Sequence, residues 1–183
     1  MVFTDGSFAN NRDLSSQIGY VVCLVTEERD EEKFTVRGNI IHWSSTKCKR
    51  VTRSVLASKI YGTSTGIDTG YVVAQTISMV TRHLDLPKLL LVVCTDSYSL
   101  YECIIKLGST TEKRLMIDVM SMREMYERRE IGEVRWINGQ DNPADAMTKA
   151  TPNKALETLI DDNRLEVRLE GWVDRRGAPI VEA

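Results

Sequence analysis

The chain has 183 residues, of which 42% are hydrophobic and 27% are charged, with a formal net charge of −2. This length and composition predict one folded globular domain with a sizeable core, and they exclude a largely disordered chain. The charge excludes a uniformly basic nucleic-acid-binding surface, and no apolar run of about 18 residues predicts a membrane span.

The first part of the chain predicts three strands separated by turns. "VFTDGSF" begins the series, "IGYVVCLVT" follows, and "FTVRGNIIHW" alternates with the period of two that is typical of a strand. The acidic segment "ERDEEK" between the last two strands predicts an exposed hairpin tip. Strands joined by such short connections predict an antiparallel meander.

The next stretch, from residue 51 to about 67, predicts a helix. Its apolar residues recur at the i, i+3, i+4 spacing of one helical face, and Lys59 shares that face with Leu56. Gly62 and Gly66 are expected to break the helix near its end.

The second half of the chain predicts two further strands, "LLLVVCTD" and "GEVRWI". Between them we expect one helix that stops at Gly108 and another that is capped by Thr110 or Thr111. After the fifth strand, Asn142 and the following proline predict the start of one more helix.

This order of elements predicts an α/β fold, because strands connected through helices run parallel to a neighbour. The expected architecture is a ribonuclease H-like mixed five-stranded sheet of order 3-2-1-4-5, flanked by helices. Residues 1–165 are expected to form this domain. Residues 166–183 are expected to form a partly ordered C-terminal extension with the loose tail "RGAPIVEA".

The cysteine pattern and the N-terminal sequence indicate the cellular compartment in which the protein is expected. The four cysteines form no C-x-x-C pair, and with only two histidines in the chain no zinc site is expected. The start "MVFTDGSFANN" lacks the charged and apolar regions of a signal peptide. We expect a reduced intracellular protein, in the cytoplasm or the nucleus.

Asp96 stands directly after the buried fourth strand. The carboxyl ends of strands in α/β sheets are where ligands, metals and catalytic groups are held. The alternative is that Asp96 only caps the following helix.

Five blocks in order carry a family resemblance: "VFTDGSF", "IIHWSSTKCKRVTRSVLASKIYG", "CTDSYSLYECI", "KRLMIDVMSMREMYERREIGEVRWI" and "NPADAMTKA". Together they resemble the ribonuclease H domain that ends the polyproteins of copia-type LTR retrotransposons, in the fungal style. The resemblance covers roughly residues 2–175. It implies hydrolysis of the RNA strand of an RNA–DNA hybrid by two Mg²⁺ or Mn²⁺ ions, about 4 Å apart, held by four carboxylates.

By this resemblance, Asp5, Asp96 and Asp145 are the first, third and fourth catalytic carboxylates and metal ligands. They lie at the ends of two strands and in the helix after the fifth, so they are expected to converge. Two alternatives stay open for the fourth position. An acid in a first helical turn is favourable without any metal, and Asp141 is a nearby substitute.

Lys59 stands where the family has its second carboxylate. The family stretch resembles "RSVLAAELYA", whereas this chain reads "RSVLASKIYG", and no acidic residue lies between Glu32 and Asp68. We expect the Lys59 side chain to point at the aspartates. A lysine at this position removes one metal ligand, and its positive charge repels the metal ion. The alternative is that its ammonium reaches solvent and three ligands remain.

A basic segment precedes the predicted helix. The nucleic-acid-binding residues expected from it and from its neighbour are Lys47, Lys49, Arg50, Arg53 and Trp43. The alternative is an ordinary solvated basic turn.

Two functions of different classes follow. One is a metal-dependent ribonuclease H that is weak or inactive because of Lys59. The other is a non-catalytic pseudo-enzyme that binds nucleic acid or protein. The expected partners are an RNA–DNA hybrid or another nucleic acid, and a reverse transcriptase or another protein. No association with a membrane is expected.

Overall fold

The computed structural model describes residues 1–106, 108–110 and 112–173, which contain six strands and four α-helices. The strands are β1 (Val2–Ser7), β2 (Gln17–Arg29), β3 (Lys33–Lys47), β4 (Val92–Thr95), β5 (Glu133–Ile137) and β6 (Arg164–Trp172). The helices are α1 (Val55–Arg82), α2 (Tyr98–Ile105), α3 (Leu115–Glu127) and α4 (Ala155–Asp162). Two 3₁₀ helices, Gly139–Asp141 and Pro143–Met147, lie between β5 and α4.

All six strands form one mixed sheet. β1 pairs antiparallel with β2 and parallel with β4, while β2 pairs with β3 and β4 pairs with β5. β6 pairs antiparallel with both β5 and β3, which closes the sheet into a barrel. The α/β class is therefore present. The predicted five-stranded order 3-2-1-4-5 is wrong as a description of the whole sheet, because a sixth strand joins what would be its two free edges.

β6 begins before the predicted domain boundary and continues past it. The boundary between residues 165 and 166 falls inside this strand, whose buried Leu165 and Val167 alternate with exposed Arg164 and Glu166. Residues 166–172 are thus part of the sheet rather than an extension. Residues 174–183, which include the whole of the predicted tail "RGAPIVEA", lie outside the described residues.

Helix α1 is longer than predicted, because it passes through Gly62 and Gly66 without a break. A Cβ atom on Gly62 would lie 2.4 Å from the backbone oxygen of Asp5, and one on Gly6 would lie 2.4 Å from the backbone oxygen of Ser58. The glycines therefore allow a close approach between α1 and β1, which a larger residue would prevent. This approach fixes the part of α1 that carries Lys59.

Two predicted helix starts also differ in the structure. Helix α3 begins at Leu115 without a side-chain cap, and Thr110 instead accepts a hydrogen bond from the backbone of Glu112. The alternative cap, Thr111, lies outside the described residues. Asn142 does act as an N-cap, with its side chain accepting from Ala144, but the segment that follows is a 3₁₀ helix.

Two apolar clusters lie on the two faces of the sheet. Helices α1, α2 and α3 cover one face, with Ile60, Leu100 and Leu115 fully buried there. Helix α4 covers the other face, where Leu159 packs with Phe3. None of the helices in the described residues is long and apolar enough to span a bilayer.

Candidate functional site

Asp5 and Asp96 meet at the neighbouring ends of two parallel strands. Thr4 of β1 lies opposite Thr95 of β4 in the ladder, so the residue after each threonine emerges at the same edge. The Nζ of Lys59 lies 2.8 Å from Asp5 Oδ1 and 2.5 Å from Asp96 Oδ1. One ammonium group therefore bridges both carboxylates.

Lys59 is directed inward, and its ammonium contacts the two carboxylates rather than extending into solvent. Only 14% of its side chain is exposed, and the side chains of its two partners are more buried still. Burial acts to lower the pKa of Lys59, but the charges of Asp5 and Asp96 and the hydrogen bonds to them outweigh it, so the pKa is raised. The ammonium therefore stays protonated at neutral pH.

Asp96 does not cap the following helix. Ser97 is the N-cap of α2, and its hydroxyl accepts a hydrogen bond from the backbone N–H of Leu100 at 3.3 Å. The carboxylate of Asp96 is therefore available to the site.

Asp145, rather than Asp141, lies in the interior. Asp145 is 3% exposed, and its Oδ2 accepts a hydrogen bond from the backbone N–H of Asn153 at 2.9 Å. Asp141 instead accepts hydrogen bonds from the backbone and the guanidinium of Arg168. The Asn142 side chain donates to the backbone oxygen of Thr4 and so ties the 3₁₀ helix that carries Asp145 to β1.

Lys149 is a second cation at the site, which the sequence analysis missed. Its ammonium forms an ion pair with Asp145 Oδ1 across an i, i+4 spacing. Burial acts to lower the pKa of Lys149, but the hydrogen bond to Asp145 and the charges of Asp145, Asp5 and Asp96 raise it. Three carboxylates against two ammonium groups leave the cluster with one net negative charge. The sequence does show that Asp145 and Lys149 are four residues apart, a spacing at which an acid and a base can form an ion pair.

Thr148 completes the cluster from the end of the same 3₁₀ helix. Its hydroxyl donates to Asp5 Oδ2, and its side chain is buried. Both oxygens of Asp5 are therefore occupied, one by the hydroxyl of Thr148 and the other by the ammonium of Lys59.

In the observed arrangement, the residues of this cluster do not fit a pair of divalent metal ions. Carboxylate oxygens are the ligands that Mg²⁺ prefers, but Lys59 stands at contact distance from two of them. The described part of the chain contains no group of three or more histidine, cysteine, aspartate or glutamate residues arranged to hold a metal. The arrangement is a polar cluster in which two ammonium groups neutralise most of the charge of three carboxylates.

The basic residues before α1 are only partly free to contact a ligand. Lys47 forms an ion pair with Asp13. Arg50 lies 3.1 Å from Asp118 Oδ2, and its guanidinium stands over the ring of Tyr61. Each of these cations is therefore partly neutralised within the protein.

Lys49 and Arg53 form no ion pair within the described ranges. Trp43 is 65% exposed, and it pairs across the ladder with Val21, which belongs to the core on the α4 side. Residues directly opposite each other in a ladder share a face, so Trp43 and the α1-facing Arg50 lie on different sides of the sheet. The structure does not gather the five predicted residues into one patch.

Comparison with protein-family models, with curated proteins and with solved structures gives no match for this chain.

Proposed function

We propose that this chain is a retrotransposon-type ribonuclease H-like domain whose cleavage of RNA–DNA hybrids is severely impaired. The observation that carries the proposal is the bridge from the Lys59 ammonium to Asp5 and Asp96. It places a fixed positive charge between two carboxylates that, by resemblance, would hold metal ions.

The placement of the three aspartates supports the first half of the proposal. Asp5 lies in β1 just past its parallel pairing with β4, and Asp96 directly follows β4. Asp145 is buried on a 3₁₀ helix whose N-cap, Asn142, donates a hydrogen bond to β1. The hydrogen bonds from Asn142 to Thr4 and from Thr148 to Asp5 support the assignment of the three positions to one site. The resemblance to the copia-type family supplies the reaction class and the hybrid substrate.

The chemistry of Lys59 supports the second half. A protonated ammonium neutralises carboxylates, but it coordinates neither a water nucleophile nor a leaving oxygen. Because the pKa of Lys59 is raised, it is also unable to serve as a general base near neutral pH. A loss of about 4–6 kcal/mol in transition-state stabilisation corresponds to a rate lower by roughly 10³ to 10⁴.

A hybrid-cleavage assay in Mg²⁺ and in Mn²⁺ tests this proposal. We expect negligible cleavage by the unmodified chain and partial recovery in Lys59→Glu. Lys59→Gln is the matched control, because it removes the ammonium without supplying a carboxylate, and it should remain inactive. Robust cleavage by the unmodified chain that Asp96→Asn abolishes would overturn the proposal.

A second candidate function is a non-catalytic module that binds nucleic acid. Two observations favour it: Lys49 and Arg53 are without ion-pair partners in the described residues, and Trp43 is exposed. Exposed cations attract phosphates, and an exposed indole offers a stacking surface. Salt-dependent binding of a hybrid by the unmodified chain, without cleavage, is the expected result for this function.

A further inference from the structure

The outer edge of β3 carries backbone groups that have no partner strand. β3 pairs with β2 from Lys33 to Lys47, but on its other side it pairs with β6 only over residues 33–37. Gly38 donates its N–H to the backbone oxygen of Asn163. Beyond that point, no strand in the described part of the chain covers this edge of β3.

The register with β2 determines which groups point outward. Cys48 donates its N–H to the backbone oxygen of Ser16 and therefore faces β2. Alternate residues of an antiparallel strand face the same neighbour, so Thr46 and Ser44 also face β2. Trp43 and Ser45 consequently direct their N–H and C=O groups to the open side.

This edge lacks most of the protection that free strand edges carry. Residues 38–46 read "GNIIHWSST" and contain neither a charged residue nor a proline. Trp43 is 65% exposed and Ile41 is 41% exposed. The register shift opposite Val22 and Cys23 is the one irregularity, and it leaves residues 42–47 in regular pairing.

We propose that this edge pairs antiparallel with β3 of a second copy of the chain, about a two-fold axis at Ser44. In that register Trp43 of each copy lies opposite Ser45 of the other, so outward donors meet outward acceptors on both strands. Lys47 then lies opposite Ile41, where no like charge meets it.

The charges on β3 favour this register over neighbouring positions of the two-fold axis within the uncharged residues 38–46. An axis at residue 42 would set Arg37 opposite Lys47, and an axis at residue 43 would set Arg37 opposite Lys49. Like charges directly opposite each other destabilise a ladder. An axis at residue 41 avoids both pairs but sets Lys47 opposite Thr35, in the segment that β6 already covers. The axis at Ser44 avoids the like-charge pairs and leaves the paired segment on the open part of the edge.

A cysteine placed on the axis tests the register directly. Ser44 of the two copies would form a non-hydrogen-bonded pair with Cα atoms about 4.5 Å apart, within the range of a disulfide. The four native cysteines are buried. Oxidation of Ser44→Cys should therefore give a covalent dimer. Thr46→Cys is the matched control, because its two copies would lie about 13 Å apart and should not cross-link.

Sedimentation equilibrium over a dilution series tests the association itself. The unmodified chain should show the mass of two copies, and Ser45→Pro, which removes an outward N–H, should show the mass of one. Ser45→Ala loses the hydroxyl bond to the backbone oxygen of Met147 but keeps the N–H, and it should stay dimeric. A monomeric unmodified chain, or equal cross-linking of the Ser44→Cys and Thr46→Cys variants, would overturn the proposal.

Discussion

The ammonium of Lys59 bridges Asp5 and Asp96 at 2.8 and 2.5 Å, where the parallel strands β1 and β4 bring the buried Asp5 and the largely buried Asp96 together. Without a cation, these two carboxylates would face each other with little exposure to solvent. The same contact therefore bears on the stability of the fold and on its chemistry.

Replacement of Lys59 by methionine should destabilise the folded state by up to about 3–5 kcal/mol, because it leaves buried charges without their partner. Urea unfolding measures this change. The double variant with Asp96→Asn should recover part of the loss, since it removes one of the unpaired carboxylates. Equal unfolding midpoints for the unmodified chain and Lys59→Met would show that the bridge contributes nothing.

The contribution of Lys59 to stability should disappear at alkaline pH. Its pKa is raised above the usual value of 10.5, so the folded state holds the proton more tightly than the unfolded state. The contribution is complete below 10.5 and is lost as the pH rises through the higher folded-state pKa. The difference in unfolding free energy between the unmodified chain and Lys59→Met should narrow over that range. A difference in unfolding free energy that stays constant with pH would contradict the stabilising role of the Lys59 ammonium.

Gly62→Ala should destabilise the protein, although such a change in a helix interior usually stabilises it. The new Cβ would lie 2.4 Å from the backbone oxygen of Asp5, and overpacking of this kind costs about 1–3 kcal/mol. Thr76→Ala, at an exposed position of α1, is the control and should have little effect. Thermal unfolding distinguishes the two, and a Gly62→Ala protein as stable as the unmodified chain would contradict the close packing of α1 on β1.

Hybrid binding should depend more on Arg53 than on Arg50. Arg50 is already engaged by Asp118 and Tyr61, whereas Arg53 has no ion-pair partner among the residues described. Arg53→Ala should therefore weaken binding and reduce the slope of log affinity against log salt by about 1. Arg50→Ala should change the slope less. Identical slopes for the unmodified chain and Arg53→Ala would show that the basic segment before α1 is an ordinary solvated turn.

The positions of Asp5 and Asp96 could be anticipated from sequence because each lies just after apolar strand residues, and the parallel pairing of β1 with β4 ends just before both. The prediction of a helix break at Gly62 and Gly66 is wrong because helix propensity does not show what the helix packs against. In the structure, Asp5 and Thr4 lie against these two positions. The helix consequently continues where propensity predicts a break.

β6 was missed although "RLEVRLEGW" alternates apolar and charged residues with the period of a strand. Its closeness to the end of the chain favoured the prediction of an extension. Lys149 was missed for a different reason, since its proximity to all three aspartates depends on the turn of a short 3₁₀ helix that sequence patterns do not specify.

The most direct test of the central claim is a calorimetric titration of Mg²⁺ into the unmodified chain and into Lys59→Glu. If Lys59 takes the place of a metal ligand and repels the cation, the unmodified chain should show no saturable binding. Lys59→Glu should bind Mg²⁺, and adding Asp96→Asn to that variant should abolish the binding. Saturable Mg²⁺ binding by the unmodified chain that Asp96→Asn removes would contradict the account.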